Sequence, residues 1–395
     1  MFLPLLSLLL ASPAHAGSDT PPPPPPTGLG SSPTAALKAA KDQAQARVTP
    51  IPTVTEVPPW LRGDVALNYG YDRLGGHLTE HVLESSSDTA SLDQQVGQRV
   101  VSDHVLSIDA MFSAGPGVGV TLGFPVHIRE GTWFGNSQTM VYDPTSGAGT
   151  MIGTTSVDYG STSAGGGLEG VWIGLAGTPF SEAFHNRNNR VTWRVAGALR
   201  TANKKNFYTA GTDGKRGAGD GALGLKLENA FSTTIGGGTQ PYISWKYQSD
   251  GQDTVDVTDD SGNVLASGVQ LQGAKTSDIR FGAEFLAAHN DDQDTNVRVD
   301  LHATIDYAST SLVPSGLYLP SILDVTAGQP MQEAESVDLG GGIGFSFQPV
   351  QYFRIGIFGQ VCYHLPQRIE SFYPIYTSGD TIHSVVGGNM VVRIR

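Results

Sequence analysis

The chain has 395 residues and a formal net charge of −13, from 24 Lys and Arg against 37 Asp and Glu. That balance excludes a nucleic-acid binder, which needs a basic stripe against phosphate. A single cysteine, Cys362, excludes an intrachain disulfide framework and a multi-cysteine metal site. Glycine is high at 50 residues, charged residues are only 15%, and no long helical period accompanies them, which argues against two densely packed water-soluble domains.

Residues 1–16, MFLPLLSLLLASPAHA, form an apolar run ending in the small-x-small triplet Ala14-His15-Ala16, the pattern of a secretory signal peptide. Residues 17–60 hold PPPPPP, a short Ala-rich helix candidate in PTAALKAAKDQAQAR, and VTPIPTVTEVPPW, whose prolines preclude a regular helix. They read as a short Pro-rich periplasmic extension ahead of one domain at 61–395. No run of about 18 apolar residues occurs, so no membrane-spanning helix is expected.

From residue 63 the period changes to two. In GDVALNYGYD, residues 63–72, Val65, Leu67, Tyr69 and Tyr71 fall on one side and Ala66, Asn68, Gly70 and Asp72 on the other. About twelve such segments follow one another to the end of the chain, most of ten residues or more, the length a tilted strand needs to cross a bilayer. The connections alternate without exception. Long ones at 73–98, 129–164, 202–219, 249–275, 309–333 and 366–382 are separated by short ones at 114–117, 180–189, 235–239, 289–294 and 348–351. A soluble sandwich has no reason for this, whereas an outer-membrane barrel has short periplasmic turns and long external loops. The expected fold is therefore all-β: a transmembrane up-and-down antiparallel β-barrel of about twelve strands. Its expected place is the outer membrane of a Gram-negative bacterium, against lipid and lipopolysaccharide, with both chain ends in the periplasm. Trp60, Tyr69, Tyr71, Phe124, Trp193, Tyr242, Tyr247 and Tyr307 fall near strand ends and suit interfacial girdles.

Fixing the apolar faces outward sends a mixed set of charges inward. They are Arg194 and Arg200, Lys226 and Glu228, Lys246, then Asp278, Arg280 and Glu284, then Arg298, Asp300, His302 and Asp306, and finally Arg354 and His364. Such residues either line an open polar path that sets selectivity or pair into a ladder that fills the lumen. On the first reading, Arg298 is replaceable with little effect on stability. His302 beside Asp300 and Asp306 reads as a lumen ion pair, and His383 next to Ser384 falls on the opposite strand face, so no catalytic set converges and no enzyme is expected. The acidic stretch SDGQDTVDVTDDSGN, residues 249–263, departs from the spacing of a helix–loop–helix Ca²⁺ site and reads as a solvated outer loop. No cofactor is implied.

GVGVTLGFPV, with Pro125 closing the strand, is similar to a motif of outer-membrane barrel transporters of the phenol-degradation type. GLEGVWIGL, Gly167 to Leu175, resembles the Gly-Leu-Gly-Asp strand of that family, and TPFSEAFHNRNNRVTWRVAGALRT resembles its next turn and strand. The resemblance spans roughly residues 100–365 and implies passage of small, often hydrophobic, solutes. It departs at Gly170, where the family carries Asp, and the chain ends in VVRIR rather than on the aromatic residue that the barrel assembly machinery commonly reads. A second function stays open: a structural or adhesin-like barrel acting through its long external loops, of which 129–164 carries Trp133 and Phe134.

Overall fold

The computed structural model describes residues 63–83, 91–115, 117–134, 137–142, 151–157, 161–164, 167–180, 191–201, 208–209, 215–216, 223–235, 238–258, 261–290, 295–314, 330–350, 352–370 and 375–394. The expected signal peptide, the Pro-rich extension and Trp60 lie outside the described residues. Twelve strands build the wall: β1 (Gly63–Leu83), β2 (Ser91–Gly115), β3 (Val118–Phe134), β4 (Trp172–Phe180), β5 (Val191–Arg200), β6 (Gly224–Thr233), β7 (Thr239–Asp250), β8 (Thr276–Asn290), β9 (Thr295–Ala308), β10 (Ser336–Val350), β11 (Phe353–His364) and β12 (Ile375–Ile394). Each pairs antiparallel with the next. β12 returns to β1 in antiparallel register from Gly63↔Ile394 to His81↔Ile375, so the sheet is a closed barrel.

The seam is tied by side chains as well as backbone. Arg393 on β12 donates to both carboxylate oxygens of Asp64 on β1, at 2.8 and 2.9 Å. Closer to the other end of the same seam, His383 Nε2 lies 2.7 Å from Asp72 Oδ1.

The faces are inverted relative to a water-soluble sheet. Along β11, Arg354, Gln360, Cys362 and His364 are buried while Ile355, Ile357, Val361 and Tyr363 are exposed. β9 repeats this, with Asn296, Arg298, Asp300, His302 and Thr304 inward and Leu301, Ile305 and Tyr307 outward. Exposed Leu67, Ile108, Ile173, Leu199, Phe231, Phe281, Ile343 and Ile382 continue the apolar belt around the wall. A belt of this extent far exceeds the few hundred Å² that a soluble monomer leaves open, and it is the surface a barrel turns to hydrocarbon. At the short-turn end, Phe180, Trp193 and Phe231 stack with ring centroids 5.8 and 5.7 Å apart. The expected girdle is corrected at Tyr242, which is not at the lipid face but buried on the inward side of β7.

The described parts of the connections expected as long external loops are largely strand. β1 and β2 stay paired as far as Leu83↔Ser91, well beyond residue 73. Glu130–Trp133 on β3 pairs with 161–164, and residues 249–275 contain the hairpin Gln252–Thr258 with Val264–Gln272. Ser311–Pro314 pairs with Pro330–Glu333, and Gln367–Glu370 pairs with β12. The strands of the outer hairpin alternate only over short runs, Val255 and Val257 on one and Val269 and Leu271 on the other, which is less than a membrane-crossing strand shows. In the acidic hairpin, Asp256 accepts from the Ser267 hydroxyl at 2.8 Å and the Gly268 N–H at 2.9 Å, which holds its carboxyl below the usual range. That aspartate pins an irregularity in the strand pairing rather than floating in a loop.

Leu301, 48% exposed in the middle of β9, tests the facing assignment. Leu301→Arg is expected to cost about 2–4 kcal/mol of barrel stability at the membrane midplane. Urea titration of the lipid-reconstituted protein reads that loss; an unchanged midpoint would mean that Leu301 does not face hydrocarbon.

Candidate functional site

The inward faces of β8 to β12 carry a ladder of neighbouring polar clusters. Arg298 Nη1 on β9 lies 3.3 Å from Glu284 Oε1 on β8. One step along β9, Asp300 Oδ2 lies 2.7 Å from His302 Nδ1. Further along, Arg280 donates to Asp278 at 2.8 and 3.1 Å, and the Thr304 hydroxyl reaches Asp278 and Asp306 at 3.4 and 3.2 Å. Gln360 donates to Asp306 and to the Cys362 sulfur, each at 3.3 Å. The ladder ends in Asp338, which binds His364 on one oxygen and His383 Nδ1 on the other, the latter at 2.5 Å. Through the His383–Asp72 contact this chain of groups crosses the seam to β1. Asp300 is 0% exposed and Glu284 1%. Charges this far from water persist only when paired.

Glycines make room for the ladder. His302 on β9 is flanked in register by Gly282 on β8 and Gly342 on β10. A Cβ at Gly342 would stand 2.7 Å from His302 Nε2 and from the Gly359 carbonyl oxygen, and one at Gly282 would stand 2.4 Å from the Leu301 carbonyl oxygen. The imidazole therefore lies in a slot that only glycine on both neighbours leaves open.

The other part of the lumen is open. A cavity of about 480 Å³ is bounded by β1 to β7, β11 and β12. Ala66, Val105, Met111, Phe358 and Val391 contribute apolar side chains to its wall, with the polar Asn68, Ser107 and Asp109 between Val105 and Met111, and Trp172, Arg194, Lys226, Glu228 and Lys246 face it from β4 to β7. Arg194 pairs with Glu228 at 3.1 Å, and Lys226 reaches the same carboxylate at 3.6 Å. The Trp172 ring has Arg200 5.4 Å and Lys226 5.8 Å from its centroid, a cation–π arrangement. Arg200, 1% exposed, also binds Glu169 and Asp250.

The charges expected inward fall in three settings: Arg200 is held apart by Glu169 and Asp250, and the others divide between the cavity and the ladder. Arg194, Lys226, Glu228, Lys246 and Arg354 border the cavity. Asp278, Arg280, Glu284, Arg298, Asp300, His302, Asp306 and His364 belong to the ladder. Arg280, Arg298 and Arg354 do not share an open path: Arg298 and Arg354 are buried in the wall lining and only Arg354 touches the cavity. Sequence reasoning missed Trp172, Phe358, Asp64, Asp109, Asp338 and the bridging role of His383. Their inward parity was readable once the outward set was fixed; what was not readable is which inward residues meet across strands. Gly170 has no space for the family's aspartate, since its Cβ would stand 2.6 Å from the Thr201 carbonyl oxygen. The neighbouring Glu169 instead supplies a carboxylate to Arg200 and to His127, 3.4 Å away.

Together the closed apolar-belted barrel and its polar interior define a membrane-spanning β-barrel. No protein-family model matches the chain, and no curated protein matches it. Solved structures similar to it include outer-membrane channels. A channel from Pseudomonas putida F1 is 8% identical, covering 88% of this chain and 100% of its own, with a TM-score of 0.47. A FadL homologue from Pseudomonas aeruginosa is 10% identical over 84% and 90%, with a TM-score of 0.36. The toluene transporter TbuX of Ralstonia pickettii is 10% identical over 86% and 90%, with a TM-score of 0.34. At these scores the barrel assignment rests on this chain's own strand pairing.

Two substitutions test the ladder. Arg298→Glu sets a carboxylate against Glu284 and is expected to destabilise the barrel by about 3–5 kcal/mol, as breaking a buried pair does. Gly342→Ala is expected to cost about 1–3 kcal/mol by overpacking the His302 slot. The temperature at which the folded band converts to the unfolded band on a denaturing gel reads both. A wild-type transition for either variant would mean that the ladder is loosely solvated.

Proposed function

We propose that the protein is an outer-membrane channel for small solutes that carry apolar parts, residing in the outer membrane of a Gram-negative bacterium. One observation carries the reading: the lumen is neither empty nor filled. The ladder occupies the β8–β9 side and reaches along β11 and β12, and the remaining space is a cavity of about 480 Å³ whose wall sets apolar side chains opposite charged groups. That volume lies within the range of small-molecule sites, about 300–1,000 Å³. A wide water-filled pore would be polar throughout, and a structural barrel has no need of a solute-sized space with Phe358 and Met111 in its wall. Lipid and lipopolysaccharide are its surroundings, and the assembly machinery its insertion partner.

Liposome swelling with the reconstituted protein tests this. Ala196 and Ala198 on β5 both face the cavity, and Ala198→Trp or Ala196→Trp fills it without touching the ladder. Swelling in small neutral solutes is expected for the parent and is expected to fall about tenfold or more in either variant, since permeation ends when the constriction closes. Absence of swelling by folded parent protein would overturn the channel and leave the loop-mediated interaction reading in its place.

A further inference from the structure

We infer that the cavity selects small organic anions with a compact apolar body. This rests on the channel reading and adds a charge sign and a ligand chemistry to it.

The key residue is Lys246. In register it lies between Glu228 on β6 and Asp278 on β8. Both carboxylates are committed elsewhere: Glu228 to Arg194 at 3.1 Å and Lys226 at 3.6 Å, and Asp278 to Arg280 at 2.8 Å. Among the described residues, no carboxylate comes within ion-pair distance of the Lys246 ammonium, and Lys246 is one of the residues that line the cavity. Lys226, beside it, keeps 38% of its side chain exposed to the lumen.

The lining as a whole leans the same way. Arg194, Lys226, Lys246 and Arg354 face it against Asp64, Asp109 and Glu228. Of those three carboxylates, Asp64 is neutralised by both arms of Arg393, and Asp109 accepts from Asn68 at 2.6 Å and Ser107 at 2.9 Å. A positive site inside a chain of net charge −13 is not a by-product of composition. Confinement between low-dielectric walls focuses its field, so each cation counts for more than at the surface.

The apolar side chains match the other half of the ligand. Phe358 lies flush on β12 because Gly387 leaves the space, its Cβ otherwise standing 2.6 Å from the ring. Gly70 on β1 registers with both Gly387 and Val105, so Phe358 and Val105 bracket an apolar patch for a ring or short branched chain, while Lys226 and Lys246 hold the anionic end. A purely inorganic anion would gain nothing from that surface, and an organic cation would meet Lys226 and Lys246.

Three probes that cross bilayers poorly distinguish these cases: benzenesulfonate, benzyltrimethylammonium and the neutral phenyl glucoside. Reversal potentials of the reconstituted full chain are expected to favour benzenesulfonate over benzyltrimethylammonium by about tenfold, with swelling in phenyl glucoside showing the path is open. Lys246→Gln is expected to remove most of that preference while leaving phenyl glucoside swelling within about twofold, and Lys246→Arg to keep it. Lys275→Gln, exposed at the outer end, is expected to change neither. Should Lys246→Gln fail to fold, salt titration of the parent replaces it: screening is expected to erode the anion preference and not the glucoside flux. Phenyl glucoside flux without anion preference, or a preference untouched by both Lys246→Gln and salt, overturns the inference and leaves the channel standing. No flux of any probe through folded protein overturns the channel reading and this inference with it.

Discussion

Backbone pairing governs this structure. Inside hydrocarbon no water is available, so each N–H and C=O must bond to a neighbouring strand, and a sheet satisfies that only by having no edge. The β1–β12 seam is where the requirement is met: eighteen cross-strand residue pairs run between the chain's first and last described strands, with one bulge at Gly75/His77. Arg393–Asp64 and His383–Asp72 fasten that seam at two heights, from residues distant in sequence. Once the ring is closed, strand parity fixes everything else. One face of each strand belongs to lipid, the other to the lumen, and a one-residue slip would exchange Leu301 for Asp300.

The lumen then has to accept what parity delivers. Burying ions is costly, and pairing offsets the cost without guaranteeing a net gain in stability. Here the ions share partners: Asp338 serves two histidines, Asp278 serves Arg280 and Thr304, and Asp306 serves Thr304 and Gln360. The stripe Gly340, Gly342 and Gly344 on β10 is the counterpart of this ladder, since large inward residues on β9 and β11 need small ones between them. At Gly340 a Cβ would stand 2.7 Å from the Cys362 sulfur, which is why the thiol is held in the wall lining.

The barrel was legible in the sequence because its two strongest signals are local. Period-two alternation is written into each strand, and the alternation of long and short connections is written into their spacing. Ile355, Ile357 and Val361 on one face, with Arg354, Gln360 and His364 on the other, leave little freedom in β11. Strand length was less legible, because beyond the belt apolar alternation holds only over short runs and the cross-strand partner defines the strand. Tyr242 was misplaced for a different reason: an aromatic near a strand end fits a girdle, but its parity with Ser244 and Lys246 puts it inside. The division of inward charges into ladder and cavity was not legible at all. It depends on the stagger between neighbouring strands, which decides that Glu284 meets Asp300 in register while its carboxylate reaches Arg298.

That division explains how a barrel of this size comes to hold a solute-sized space. Twelve strands enclose more room than small side chains can fill, and an unobstructed lumen would admit water and salt with little discrimination. Long, paired side chains on β8, β9 and β11 take up one part of the cross-section and are held there by neighbouring charges and by the glycine slots of β10. Across from them, β1, β5 and β12 carry Ala66, Ala196, Ala198 and Gly387, which take up almost none. The asymmetry is one of side-chain volume on a symmetric backbone. The same wall that hydrogen-bonds itself shut against lipid is therefore free to tune its interior residue by residue, with the ladder setting how much lumen remains and Lys246 and its neighbours setting the charge of what is left.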